Sequence, residues 1–320
     1  IGYPPNSLIF YIPLALLPYK VAQGVFLLLS ALSIFGIVSL LFKIIKDSKR
    51  IRGISLFLAF SLIVFSFPTR FTLGMGQSNL IALLLLMLSF YLYRNTKVVI
   101  SGLLLGLAIV MKPLLVFMLL FFLLNKAWKV IGSAVLVGIG FIVPTLLIFG
   151  TDIYVYYFTE LVPHLLNVVG RETYYNQGIM GFISRLTDSL ILRKFLASLL
   201  SPFFVLGTCL VIMKRKTAQE LQFGLLLSIL VLVDTLAWQH HFVFLLFPFI
   251  LCAIVIIKKK LLHLFVLLVF SYILVSTNIK NPSSLSQFPY SLVLSHTFYG
   301  AAVLLAIQFF LGFRIKVKQK

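Results

Sequence analysis

Apolar residues along this chain gather into runs near 21–42, 54–68, 78–93, 98–111, 113–124, 129–149, 195–213, 221–236, 242–257, 261–278 and 296–313, separated by short polar or basic connections. A helix needs about 20 apolar residues to cross a hydrocarbon core of about 30 Å. The pattern therefore predicts about eleven membrane helices, several of them short, in an all-α polytopic chain. The stretch 1–19 carries four prolines and only five apolar residues between Asn6 and Pro13. It is too interrupted to span, and reads as a segment lying in the interface.

The runs 98–111 and 113–124 hold 14 and 12 residues, or about 21 and 18 Å at about 1.5 Å per residue. Neither crosses alone. Both outer flanks are basic (Arg94/Lys97 and Lys126/Lys129), so the pair is expected to form a hairpin whose tip, Met111-Lys112-Pro113, stops below the far surface. Broken backbone at depth is tolerated only where it lines protein or a wet cavity. A lysine there is a functional candidate, the competing reading being that Lys112 snorkels to the headgroups.

Composition agrees. Hydrophobic residues make up 61% and charged residues 11% of the 320 positions, against about 45–50% and about 25% in soluble domains. The net charge of +20 does not indicate nucleic acid, because such proteins carry their charge on a polar surface. Cys209 and Cys252 lie in apolar runs, which indicates neither a disulfide framework nor a zinc site. With no internal repeat and no soluble segment, residues 1–320 read as one integral-membrane domain.

Placing alternate connections on opposite sides puts nineteen cations on one side: Lys43, Lys46, Lys49, Arg50, Arg52, Arg94, Lys97, Lys126, Lys129, Lys214, Arg215, Lys216, Lys258, Lys259, Lys260, Arg314, Lys316, Lys318 and Lys320. The other side has eight: Lys20, Arg70, Lys112, Arg171, Arg185, Arg193, Lys194 and Lys280. The positive-inside rule makes the first side cytoplasmic, the basic C-terminal tail included. The long connections 68–77, 150–189 and 278–295, and the short 237–241, then face outward with Asp152, Glu160, Glu172, Asp188 and Asp234. Long loops are usually functional, so the working face is outward.

Four outer clusters could carry chemistry. In the first, Arg70 precedes Gly74-Met75-Gly76-Gln77-Ser78-Asn79; the glycines permit a turn, and Gln77, Ser78 and Asn79 are expected to cap the next helix. A helix N-terminus beside a cation can hold phosphate. The second is Lys112-Pro113, where an ammonium at low dielectric attracts an anion. The third runs Arg171-Glu172-Thr173-Tyr174-Tyr175-Asn176-Gln177, with Arg185 beyond it. Amide forks and aromatic faces there suit sugar hydroxyls and rings, whereas Tyr154, Tyr156 and Tyr157 read equally as membrane anchors. The fourth is Asp234 with Trp238-Gln239-His240-His241. Adjacent histidines on a helix diverge by about 100° and make poor joint metal ligands, but they suit charge stabilisation at an anionic centre. His164 and His296 read as solvated bystanders. The outer ends of the third to fifth segments, the long loop and His240/His241 are expected to converge on one cavity.

A Walker loop, an HExxH and a GxSxG elbow are all missing, as are a CxxC and a paired-acid metal site for nucleotide sugars.

In order, Tyr3-Pro4-Pro5 with Pro13-Leu14, Gly76-Gln77-Ser78-Asn79, Lys112-Pro113, Asn176-Gln177-Gly178 with Arg185, and Trp238-Gln239-His240-His241 resemble glycosyltransferase family 87, the bacterial polyprenol-phosphate-mannose-dependent α-1,2-mannosyltransferase group, over nearly the whole chain. The resemblance implies a GT-C fold in the bacterial plasma membrane, with an outward active site and a polyprenyl-phosphate sugar donor. It implies a lipid or glycan acceptor, membrane lipids as partners, and no nucleic acid. It also implies a catalytic aspartate in a first outer loop, which with one preceding helix would lie upstream of Ile1, making about twelve helices in the full chain. Ser or Pro is often seen in the family where this chain has Asp234-Thr235, so Asp234 has no inherited role.

The chemistry implied is attack of an acceptor hydroxyl on the anomeric carbon, assisted by a carboxylate base, through an oxocarbenium-like state. Donors preorganised at low dielectric stabilise the departing phosphate. Lys112 and the His240/His241 pair take that role, with Arg70 and Arg185 as further candidates and Asp234 as an alternative base. Gln77, Asn79, Asn176, Gln177 and Trp238 would hold the sugar. Inverting single displacement needs no metal and no cofactor. A transporter or flippase of lipid-linked sugars, and a polysaccharide ligase or polymerase of another family, are the alternatives. Polar residues concentrated at one face favour an enzyme.

Overall fold

The computed structural model describes residues 3–45, 52–167, 174–215 and 217–314. Lys46, Lys49, Arg50, Arg171, Glu172, Thr173, Lys216, Lys316, Lys318 and Lys320 lie outside the described residues.

Each predicted run is helical over most of its length, as 21–42 is within Tyr19–Ile45 and 195–213 within Leu190–Arg215. Among the described residues, five helices are long and apolar enough to cross a membrane: Tyr19–Ile44, Trp128–Phe149, Leu190–Met213, Gln239–Lys258 and Tyr290–Arg314. The number is six if Phe67–Gly74 and Asn79–Arg94 count as one broken span. Val98–Met111, Pro113–Leu124, Gln219–Val233 and Leu262–Ser276 are apolar but shorter, at 10–17 residues. The expected eleven crossing helices thus exceed what length and composition support, because Pro113, Asp234 and similar breaks cut the runs below spanning length.

The outer surfaces of these helices are apolar. Only 17% of the Trp128–Phe149 window and 11% of the Leu190–Met213 window is buried within the protein, and Leu136, Leu147, Phe203 and Leu206 are exposed. Apolar surface on that scale has lipid as its solvent. The fold is that of a polytopic helical membrane protein.

The chain divides into two compact units, Ile1–Ile44 with Leu73–Val168, and Ile45–Thr72 with Val169–Lys320. In the first, Val98–Met111 packs against both Asn79–Arg94 and Trp128–Phe149. Gly102 and Gly106, one turn apart, make the second contact possible. A Cβ on Gly102 would lie 2.4 Å from the Val130 carbonyl oxygen and 2.5 Å from Ser133 Cβ. Lipid does not drive helices together by excluding water, so close packing across small residues does. The Asn79–Arg94 contact adds a hydroxyl pair, Ser89 Oγ donating to the Ser101 carbonyl at 2.8 Å and Ser101 Oγ to that of Ser89 at 2.9 Å.

Replacing Gly102 with valine is expected to destabilise the protein by roughly 1–3 kcal/mol through overpacking, read as a lower thermal melting point in detergent. Gly132→Ala, where an added Cβ meets nothing within 4 Å, should be neutral or raise stability by about 0.5–1 kcal/mol. Equal melting of Gly102→Val and wild type would refute the close contact.

The chain reverses at Lys112. Phe121 sits edge-on to Phe90 and Tyr93, with centroids 5.4 and 5.9 Å away, near the end of Asn79–Arg94. Lys112 instead reaches Gln77 at the start of that helix through Tyr3. Val98–Met111 therefore ends in one extended residue, Lys112 at φ −139° and ψ 92°, and the chain returns as the 3-10 helix Pro113–Met118 and the α-helix Leu119–Leu124. Proline supplies no N–H and fixes φ, which fits it to the first position after the break. The amino-terminal stretch folds as the 3-10 helix Pro5–Tyr11 and the short helix Ile12–Ala15. It is held to Trp128–Phe149 by Phe10 stacked on Phe141 at 4.8 Å.

In the second unit, Gln219–Val233 is the central element, with Leu221–Leu232 buried without interruption, and it packs against His296–Arg314 and Leu246–Lys258. Much of the 150–189 stretch, expected as a loop, is helical. Asp152–Tyr156, the π-helical turn Tyr157–Leu161 and Val162–Asn167 run consecutively in the first unit. Ile179–Leu186 stands in the second, with Phe182 stacked on Phe298 at 4.6 Å. Apolar residues at helical spacing, among them Val155, Tyr156 and Phe158, give the first of these an exposed apolar surface.

Candidate active site

Two clusters take shape, one in each unit. In the first unit, Lys112 is 3% exposed. Its Nζ donates to the Tyr3 hydroxyl at 2.7 Å and lies 5.0 Å from the centre of the Tyr3 ring. Tyr3 in turn donates to Gln77 Oε1 at 2.8 Å. Burial pushes the Tyr3 phenol up, with Tyr11 adding to the shift, so it is a neutral hydroxyl at physiological pH. It orients the ammonium without cancelling its charge. Tyr3 entered the sequence reading only as part of a family block. The signal that could have found it is a tyrosine beside Pro4-Pro5, where the fixed backbone aims a side chain.

Asn79 is buried at the start of its helix. The expected capping by this turn does not occur. Ser78 occupies the cap position with φ −75° and ψ 4° and makes no side-chain capping bond, since capping residues need extended backbone to turn their oxygen inward. Its hydroxyl is buried without a partner among the described residues, and Gln77 turns to Tyr3 instead.

In the second unit the third and fourth sequence clusters lie side by side. Asn176 and Trp238 form an isolated antiparallel bridge. The Gln177 amide donates to the Ala237 carbonyl at 2.8 Å and the Gln239 amide to the Tyr175 carbonyl at 2.9 Å. Asn176 Nδ2 donates to the Thr235 carbonyl at 3.0 Å, while its Oδ1 accepts from the Gly178 amide at 3.3 Å. Glycine is needed at 178: a Cβ there would lie 2.8 Å from both Ala237 Cβ and the Asp234 carbonyl oxygen.

Gln177 and Gln239 are fully buried. Gln177 Nε2 donates to the carbonyls of Tyr174 and Leu294 at 2.6 and 2.7 Å, and Gln239 Nε2 to the hydroxyls of Tyr174 and Thr297 at 3.4 and 3.3 Å. Both Oε1 atoms are buried acceptors without a partner among the described residues. Tyr174, whose phenol burial pushes up against the lowering effect of the Ile279 amide, also donates to Asn278 Oδ1 at 3.0 Å.

His296 is not the solvated bystander expected. It is 6% exposed, with Nδ1 2.7 Å from the Leu274 carbonyl and Nε2 3.0 Å from the Tyr174 hydroxyl. At the start of a helix beside Tyr174 it serves the network, and nothing adjacent in the sequence announces those partners. His164 is exposed.

Arg185 is buried as well. Its Nε donates to Ser295 Oγ at 2.7 Å and its Nη2 to the Asn176 carbonyl at 3.0 Å. Burial lowers the guanidinium to about 10, partly opposed by the phenols of Tyr299 and Tyr174, and it stays charged at neutral pH.

His240 and His241 open a 3-10 helix, Gln239–Leu245, rather than an α-helix. Their rings meet edge-on at 4.5 Å. His240 is 5% exposed and packs against Phe71 at 5.5 Å and Trp238 at 6.0 Å. Tyr175 stacks on Trp238 at 6.3 Å, and Thr72 Oγ1 donates to the His240 carbonyl at 3.2 Å. The helix Phe67–Gly74 so brings Phe71 and Thr72 to His240, and carries Arg70 exposed beside them. His241 Nδ1 is 3.0 Å from Asp234 Oδ2. Lys112, Gln77 and Asn79 thus belong to one unit, and Arg70, Asn176, Gln177, Arg185, Asp234, Trp238, His240 and His241 to the other.

The helices define a membrane-embedded protein, with one buried polar cluster around Lys112 in the first unit and another around His240 and His241 in the second. The model of glycosyltransferase family 87 matches residues 2–248, and the chain belongs to that family. It is accordingly a membrane glycosyltransferase with a sugar donor and an acceptor as substrates. Among curated proteins and among solved structures none matches the chain.

Proposed function

We propose that the protein moves a mannose-like sugar from a polyprenyl-phosphate donor to a lipid or glycan acceptor, by single displacement with inversion at the anomeric carbon. The observation that carries this reading is Lys112, a buried ammonium at a chain reversal, oriented by a neutral phenol. A cation in that setting fits one phosphate on a lipid. A nucleotide diphosphate would call for more positive charge or a metal-binding acidic pair. The ammonium has three donors and stabilises the phosphate as it takes up the charge of the breaking C–O bond.

In this reading His240 and His241 assist the phosphate, with Arg70 as a further cation. Gln77, Asn79, Asn176 and Gln177 serve sugar hydroxyls, as acceptors or by holding the loops that do, and Trp238 offers a ring face. The acceptor hydroxyl loses its proton to a carboxylate as its oxygen bonds to the anomeric carbon. The lipid phosphate leaves with the electron pair. The protein sits in the bacterial plasma membrane as a helical bundle of the GT-C kind, its site outward and its basic tail cytoplasmic. The asymmetric lysine and arginine placement supports that orientation.

Intact protein reconstituted in liposomes with polyprenyl-phosphate [14C]mannose should transfer label to endogenous lipid or glycan acceptors, forming the opposite anomer. Transfer from a nucleotide sugar alone, or a product of retained configuration, would overturn the proposal.

A further inference from the structure

Asp234 ends the central helix Gln219–Val233 as its C-terminal cap, and its two carboxylate oxygens have separate partners. Oδ1 accepts from the Leu236 amide at 3.2 Å, which holds the turn. Oδ2 lies 3.0 Å from His241 Nδ1. The backbone of His241 is fixed as well, its amide donating to the Trp238 carbonyl at 2.7 Å. The two side chains are 13% and 18% exposed, so little water competes with the contact between them.

We propose that Asp234 is a positioning residue for sugar transfer: it holds the His241 ring with Nδ1–H on its carboxylate and so commits Nε2 to a phosphate oxygen of the donor. An ionised carboxylate only accepts, which places the proton on Nδ1. The second ring nitrogen is then the one through which His241 addresses a ligand, as in other carboxylate–imidazole pairs. Nε2 donates to phosphate only as part of an imidazolium, and Asp234 supplies the countercharge for that form. No proton changes hands in this role; the imidazolium and carboxylate persist while the phosphate departs. His240, edge-on at 4.5 Å, restrains the ring from the side. The proposal rests on the phosphate-donor reading above.

The test compares Asp234→Asn, His241→Gln and the double variant in intact protein. Asn keeps an oxygen for the Leu236 amide, so the turn survives; should it fail to fold, Asp234→Glu, which displaces the carboxylate, takes its place. Loss of an oriented carboxylate behind a histidine typically costs about 10–100-fold. Asp234→Asn is expected to lower kcat by about that factor with the donor KM changed less than about threefold. The double variant should be no slower than His241→Gln. Losses that multiply, or full turnover in Asp234→Asn, would overturn the proposal. In 15N-histidine NMR spectra the His241 signal, assigned by its disappearance in His241→Gln, should report a protonated Nδ1 that Asp234→Asn shifts. An unshifted signal would overturn the proposal too. If wild-type protein transfers nothing from a polyprenyl-phosphate donor, the donor reading fails, and the spectra still decide for or against the ring's orientation.

Discussion

Lys112→Ala is expected to abolish sugar transfer, lowering kcat/KM by about 10³-fold or more, while the protein still folds. Removing one preorganised donor to a developing oxyanion typically costs about 10²–10³ in rate, and a full charge at low dielectric sits at the upper end. The backbone reversal is held by other features. The Lys112 amide donates to the Ala108 carbonyl at 2.8 Å, and Pro113 opens the returning 3-10 helix whatever side chain precedes it. Tyr3 keeps its bond to Gln77. Arginine should not rescue, because a larger, planar guanidinium spreads its charge over a fork and does not reproduce the compact ammonium held by the Tyr3 hydroxyl. Tyr3→Phe leaves the charge but removes its orienting hydroxyl, and a milder loss of about tenfold is expected, within the range of supporting residues. Unchanged turnover in Lys112→Ala, measured on protein of normal melting temperature, would remove the residue from the mechanism.

Arg185→Ala is expected to act on stability first. Truncation leaves Ser295 Oγ without its donor and the Asn176 carbonyl without one of its bonds, inside a region where Asn176, Gln177 and Ser295 are all fully buried. Leaving a buried neutral acceptor without its donor costs about 1–3 kcal/mol, a large share of the margin of a marginally stable protein. Low yield and a clear fall in melting temperature should follow. Lysine should not restore either, having no fork to reach both partners. A well-folded Arg185→Ala that binds donor weakly would instead assign the guanidinium to the donor phosphate.

These two residues show how unevenly the site could be read in the sequence. Both are among the eight cations that counting along the chain places on the less basic side. Lys112 declared itself because a proline follows it and the flanking runs are too short to span, which are properties of its immediate neighbours. The setting of Arg185 depends on Ser295, 110 positions away, and on a strip of residues 174–178 that pairs with 235–239. Asn176 and Gln177 looked like sugar ligands because amides are versatile; their nitrogens prove to be occupied by backbone carbonyls, which any buried loop needs as partners for its polar groups. His296 was set aside for the converse reason, since no neighbour along the chain hinted at Tyr174. Ser78 was given a cap it does not make, since its backbone angles answer to the turn. The Gly102-Leu103-Leu104-Leu105-Gly106 spacing was visible throughout and marks a helix contact.

Residues adjacent in sequence share a local environment, so apolar runs, proline breaks and basic connections add up to helix positions, a membrane setting and a reversal at Lys112 without reference to anything distant. The order of five short motifs extended this to the family. Which nitrogen of His241 meets Asp234, which hydroxyl steadies Lys112, and which buried amides remain acceptors depend on partners 7 to 117 residues away. Hydrogen bonds are directional and lost within a fraction of an ångström, so only packed helices could select them.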